Sequence, residues 1–183
     1  MRAFIGIDFD EHTKNKIRNF QQEYWDIALK GRWKHRDNFH ITLKFLSEVD
    51  TGQEKMIQEA MTEICGKYSP FELKLTESGI FKGRDSIRAL WLGVDGNLTR
   101  LHTLQSEIDL ALEPIGFQRE SRKYNPHITI GQDIIFDNGF EQAKRSIEPT
   151  NFEPMLVMRL YLFKSEQIQN RRIYSKVSEY ELR

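Results

Sequence analysis

Cysteine is nearly absent from this chain. Cys65 is the only one in 183 residues, so no internal disulfide and no cysteine-ligated zinc cluster can form. Its place near a helix end suits a packed structural thiol. Net charge is absent too, with 27 basic side chains balancing 27 acidic ones. A generic nucleic-acid coat or a membrane-surface binder works through a bulk positive field. This chain has no such field, although a small basic cleft on a neutral body is compatible with the count. No apolar run approaches the roughly 18 residues needed to cross a bilayer. The opening Met1-Arg2-Ala3-Phe4-Ile5-Gly6-Ile7-Asp8 reaches acidic residues at once and lacks the core of a signal peptide. A cytosolic protein in a reducing compartment is the expectation.

What is present is enough for a real core. Hydrophobic residues make up 39% of the chain, including 12 Phe, 6 Tyr and 3 Trp, too many aromatics for a disordered segment. Ala3, Ile5, Ile7 and Phe9 alternate as in a strand. Asp10 can cap a helix over 11–25, with Ile17, Phe20 and Tyr24 on one face. Residues 39–46 predict a second strand. Thr51 and Glu54 form a capping-box pattern ahead of a second helix, and 71–75 predicts a third strand. The second half follows the same order: a strand over 87–94, a helix capped by Asn97, a strand over 127–132, a helix from Asn138 or Gly139 to Ile147, and a strand over 155–163. One extra strand, 172–182, is expected to pair with its predecessor across the Glu166–Arg171 loop.

The repeated order predicts an internal duplication with halves of roughly 1–83 and 84–183, folded as one domain over 1–183. Two lobes related by a pseudo-two-fold should enclose a cleft lined by their central strands. The best chemical signal sits at equivalent points of the two halves: His40-Ile41-Thr42-Leu43 and His127-Ile128-Thr129-Ile130, 87 residues apart. Side chains alternate along a strand. His40, Thr42 and Lys44 should therefore share one face, with Ile41, Leu43 and Phe45 in the core behind. His127 and Thr129 should share the corresponding face of the second copy. Two unrelated strands with ordinary half-buried histidines are the plainer alternative. A matched pair in a matched context weighs against it.

Two imidazoles and two hydroxyls across a cleft suit phosphodiester cleavage. One imidazole deprotonates a nucleophile while the other protonates the leaving oxygen. Threonine hydroxyls can donate to non-bridging phosphate oxygens. A metal site is not expected, because two histidines lack a third ligand and no His-Glu-x-x-His pattern occurs.

At these residues the chain resembles the two-histidine phosphoesterases with paired His-x-Thr motifs. Within them it resembles the RNA 2′,3′-cyclic phosphodiesterases, also called 2′-5′ RNA ligases or LigT-like proteins. Asp37 to Leu46 resembles the first motif, Leu90 to Val94 the central strand, Tyr124 to Ile130 the second motif, and Leu160 to Ser165 with Tyr174 to Leu182 the final hairpin. The resemblance implies an α+β, LigT-like bilobal fold, with two antiparallel-sheet lobes and outer helices. It implies hydrolysis of a 2′,3′-cyclic phosphate to a 2′-phosphomonoester, with joining of tRNA halves as the reverse activity of some members. Members often carry Arg where this chain has Gln132, which leaves phosphate binding to other cations.

The expected enzyme is thus a cofactor-free, metal-free, monomeric cyclic phosphodiesterase acting on RNA or nucleotide ends, with no membrane partner. His127 is assigned as base and His40 as acid, with Thr42 and Thr129 on the phosphate. Lys44, Arg36, Arg122 and Lys123 are candidate RNA or phosphate contacts, and Trp33 and Tyr124 candidate stacking residues. Lys30, Arg32, Lys34, His35 and Arg119 complete the basic clusters ahead of the two motifs. His12 and His102 read as helix-surface residues. A ligase acting on tRNA halves, and a non-catalytic RNA-end or nucleotide-binding module, are the alternatives.

Overall fold

In the computed structural model, which describes all 183 residues, the apolar alternations become strands and the periodic stretches become helices. The order is β1 (Arg2–Ile7), α1 (Glu11–Ile27), β2 (Ala28–Trp33), β3 (Ile41–Glu48), α2 (Thr51–Cys65), β4 (Phe71–Lys82), β5 (Ile87–Gly96), α3 (Leu98–Leu112), β6 (His127–Phe136), α4 (Gly139–Ser146), β7 (Met155–Val157), β8 (Arg159–Ile168) and β9 (Arg171–Glu181). A single 3-10 turn, Arg36–Asn38, leads into β3. Two antiparallel sheets result, ordered β3-β1-β8-β9 and β2-β6-β5-β4-β7. The architecture is α+β, as expected. No helix is long and apolar enough to cross a membrane.

The sheets do not coincide with the halves of the chain. β4, from the first half, pairs with β5 and β7. β8, from the second half, pairs with β1. The helices cross over as well: α1 packs against β2 and β6, whereas α3 packs against β3 and α2. Because each sheet borrows two strands and is covered by a helix from the other half, one continuous core joins both.

Several expectations need correction. β2 was not anticipated, because Ala-Leu-Lys-Gly-Arg-Trp carries more charge and glycine than a strand usually does. It is an edge strand paired only with β6, and edges tolerate such residues. β3 is also an edge strand rather than a central one. The capping box of α2 uses Asp50 and Gln53, one position before Thr51 and Glu54. The single strand expected over 155–163 is two, β7 and β8, and they lie in different sheets. The last hairpin is tighter than expected. Ile168 still pairs with Arg171, and Gln169 and Asn170 both have positive φ, as a two-residue turn of the primed type requires. Cys65 is buried, and burial pushes its thiol up to about 12, which makes it inert at neutral pH.

Candidate active site

Each sheet carries one of the two histidines, and His127 lies close enough for its charge to bear on His40. His40 stands directly before β3 and His127 opens β6, and Cα atoms of these strands approach within 8 Å. His40 Nδ1 lies 2.7 Å from the Asn38 carbonyl, and His127 Nδ1 lies 2.7 Å from the Asn125 carbonyl. A carbonyl only accepts, so Nδ1 carries the proton in both rings and Nε2 is left with its lone pair. At His40 that lone pair accepts from the Thr42 hydroxyl, 2.9 Å away. At His127 Nε2 makes no hydrogen bond to the protein.

Aromatic rings fix both imidazoles. Phe4 lies against His40 with ring centroids 4.5 Å apart, and Tyr174 meets it edge-on at 5.1 Å. Phe81 meets His127 edge-on at 5.0 Å, with Trp91 at 6.2 Å. Trp91 needs Gly79 opposite it, since a Cβ there would sit 2.2 Å from the indole. These apolar surroundings disfavour the imidazolium forms. Burial chiefly, then the charges of Lys34 and His127, lowers His40 to about 4, against the opposing pull of the Asn38 carbonyl and Asp8. Burial lowers His127 as well, opposed by its bond to the Asn125 carbonyl. Burial would raise the neighbouring Asp8, but hydrogen bonds from Lys14 and Lys176 outweigh it and keep the carboxyl ionised.

Strict alternation fails just past each motif. Gly6 pairs with Thr42 and Ile5 with Lys44, which leaves Leu43 as an extra residue. Trp91 pairs with Thr129 and Leu90 with Gly131, which leaves Ile130 extra. A bulge of this kind reverses the faces that follow it. Lys44 therefore turns away from His40 into the protein, where it is 6% exposed and paired with Asp109. Phe45, expected in the core, is 71% exposed and lies 6.1 Å from Phe4 by ring centroids. By the same logic Gln132 joins His127 and Thr129.

The other candidates divide. Trp33 stacks on Trp25 of α1, with centroids 5.6 Å apart, so it packs the back of the sheet. Arg36 pairs with Glu11 and Asp37 and also reaches Asn15, which latches the chain to α1. Arg122 is exposed and 3.6 Å from Glu120. Tyr124 donates its hydroxyl to the Thr42 carbonyl at 3.0 Å and so ties the second motif's loop to the first motif's strand. With Lys123, His102, Trp91 and Asn125 it lines a cavity of about 250 Å³ beside His127. His102 is thus half-buried against Tyr124 rather than free on its helix, whereas His12 is exposed as expected. Sequence reasoning misplaced Phe45, read as core, and missed Tyr174 and the two carbonyls that orient the histidines, whereas Lys34 was named only as part of a basic cluster. The carbonyls had a readable signal: asparagine stands two positions before each histidine.

Two antiparallel sheets, each with a His-x-Thr strand whose imidazole is oriented by a backbone carbonyl, fit the two-histidine phosphoesterase class. A model of the LigT like Phosphoesterase family matches residues 7–91 and again 92–174, and the chain belongs to that family. It is 34% identical to the RNA 2′,3′-cyclic phosphodiesterase of Methanocaldococcus jannaschii, over 98% of this chain and 100% of that one. It is 34% identical to the enzyme of the same name from Thermotoga maritima, over 86% of this chain and 81% of the other. Among solved structures, E. coli LigT complexed with 3′-AMP superposes with a TM-score of 0.82 at 26% identity, covering 99% of this chain and 97% of that one.

Proposed function

We propose that this protein hydrolyses RNA or nucleotide 2′,3′-cyclic phosphates to 2′-phosphomonoesters, without a metal ion, using His40, Thr42, His127 and Thr129. The observation that carries the reading is the matched orientation of two imidazoles, each with Nδ1 tied to a carbonyl, with Nε2 on the Thr42 hydroxyl at His40 and without a protein partner at His127. Water attacks phosphorus in line. His127, whose Nε2 has no protein partner, takes its proton. The P–O3′ bond breaks and His40, which carries the pair's one extra proton at Nε2 in the active form, gives it to O3′, while the threonine hydroxyls bind the non-bridging oxygens. The protein acts as a monomer in the cytosol, as one unit of two related halves, 1–83 and 84–183. Adenosine 2′,3′-cyclic phosphate incubated with the protein and EDTA should yield 2′-AMP by chromatography. No product, or product only with added metal, would contradict the reading. Tight binding without turnover would favour the binding-module alternative.

The pH profile follows from the lowered pKa values. The reaction needs one proton shared by the pair, so the active fraction peaks between their two macroscopic pKa values. Both histidines lie below the ordinary value near 6.5, so kcat/KM should peak on the acid side of that value and fall above it. An anion bound between the imidazoles favours their charged forms, so the kcat optimum should lie at higher pH. Initial rates at subsaturating and saturating substrate test this. A kcat/KM optimum above pH 7 contradicts it.

Phe45 is exposed on the same strand face as Thr42 and offers a stacking surface for the substrate's base. Stacking is worth ~1–3 kcal/mol per base. F45A should therefore raise KM for adenosine 2′,3′-cyclic phosphate about tenfold, and leave KM for baseless ribose 2′,3′-cyclic phosphate unchanged. Equal losses on both substrates would assign Phe45 to packing instead.

A further inference from the structure

Every side chain that the bulged strands turn into the cleft is neutral at pH 7. These are His40, Thr42 and Phe45 on one side and His127, Thr129 and Gln132 on the other; both histidines lie below their ordinary value. A cyclic phosphate is an anion, and the five-coordinate phosphorus formed on attack carries more negative charge still. A cleft that stabilises it needs positive charge from somewhere else. Most nearby cations are already paired: Arg32 with Asp133, Arg36 with Glu11 and Asp37, Lys44 with Asp109, and Lys176 with Asp8.

Lys34 is not. It follows β2, and its backbone is clamped to β6. Its N–H donates to the Ile130 carbonyl at 3.0 Å. The amide of the fully buried Gln21 donates to the Lys34 carbonyl at 2.8 Å and to the Ile130 carbonyl at 2.6 Å. Lys34 is thus held beside the residue that follows Thr129. Trp33 turns back onto Trp25 of α1, so the residues flanking it, Arg32 and Lys34, turn to the other face. Arg32 pairs in register with Gln132 there. The Lys34 ammonium is half-buried and makes neither an ion pair nor a hydrogen bond with the protein. Burial, then the charges of Arg32 and Arg172, lowers its pKa. Its charge also reaches His40. Arg172 has no carboxylate partner either; its guanidinium reaches only Ser165 Oγ, at 3.5 Å. A partly desolvated cation among other cations is unfavourable until an anion joins it.

We propose that Lys34 is the cation that receives the non-bridging phosphate oxygens beside His40, with Arg172 as a second, outer charge at the same point. This deepens the reading under Proposed function and rests on it. The lysine binds the ground-state anion, and more strongly the extra charge of the transition state. It would thus supply the charge that the neutral Gln132 does not.

Binding of inorganic phosphate by calorimetry, and hydrolysis of adenosine 2′,3′-cyclic phosphate, test this on the full chain. K34M should weaken phosphate binding at least tenfold and lower kcat/KM about tenfold to a hundredfold, the usual worth of a charged hydrogen bond. K34R should stay within a few-fold of wild type on both, and R172M should show the smaller loss. K34M should melt no lower than wild type, because the ammonium it removes makes no ion pair or hydrogen bond and is opposed by the charges of Arg32 and Arg172. Wild-type phosphate affinity in K34M, or equal losses in K34M and K34R, overturns the proposal. Phosphate binding is read independently of turnover. Lys34-dependent binding in a wild type that hydrolyses nothing would support the anion site while overturning the hydrolase reading.

Discussion

Alanine at His40 or at His127 is expected to lower turnover of adenosine 2′,3′-cyclic phosphate by about 10²–10⁴-fold, the usual contribution of a positioned acid or base. The two losses should not multiply. Proton removal and proton return belong to one displacement, so the double variant should be little worse than the poorer single one. Their structural effects should differ. His40 is packed between Phe4 and Tyr174 and bonded at both ring nitrogens. H40A therefore removes packing and should cost about 1–2 kcal/mol of stability. His127 is bonded at Nδ1 alone, and H127A should cost less. Steady-state kinetics beside urea denaturation separates the two quantities. Either variant retaining a tenth of wild-type turnover would remove that histidine from the mechanism.

The largest effect on stability is expected at Lys44 and Asp109. Their side chains are 4% and 8% exposed and form an ion pair inside the protein. Lys44 also donates to the Gln118 carbonyl at 2.8 Å, and Asp109 accepts the Glu120 N–H at 3.2 Å. Removing one partner leaves a buried charge without compensation, which typically costs 3–5 kcal/mol, a large part of the ~5–15 kcal/mol that holds a domain together. K44M and D109L should each unfold at much lower urea than wild type. The double variant K44M/D109L should recover most of the loss, because two apolar groups then meet where two charges did. The pair also anchors 118–120, ahead of the second motif, so the single variants should lose activity at temperatures where they remain folded. Single variants within 1 kcal/mol of wild type, or a double variant as unstable as either, would contradict this.

The pair also shows where reading the sequence stopped short. Alternation along 39–46 assigns His40, Thr42 and Lys44 to one face. That holds as far as Thr42. The bulge at Leu43 then exchanges Lys44 and Phe45, and no local pattern announces it, because both arrangements bury one residue and expose the next. The partner that holds Lys44 inside, Asp109, lies 65 residues away on a helix of the other half. Long-range electrostatics of this kind has no period to detect. Elements with strong caps and periods were legible: Asp10 caps α1 and Asn97 caps α3 as their sequences suggest. The two histidines were legible because they recur at one spacing in one context. Lys34 was visible only as one charge in a basic run. What distinguishes it is the lack of an acid beside it, and that depends on where Asp133, Glu11 and Asp37 send their carboxylates.

The exchange of strands between the halves bears on how the chain is made. Synthesis runs from the first residue onward. β1 emerges early and can pair with β3, but its other neighbour, β8, begins at Arg159. Tyr174, which closes over His40, emerges later still. Until β8 and Tyr174 have emerged, β1 presents an open, apolar edge and His40 lacks the ring that covers it. Pairing across so many residues also slows folding through loop-closure entropy. A nascent chain of this protein is therefore exposed to aggregation until β8 is made, and the surroundings of His40 are complete only once Tyr174 has followed it.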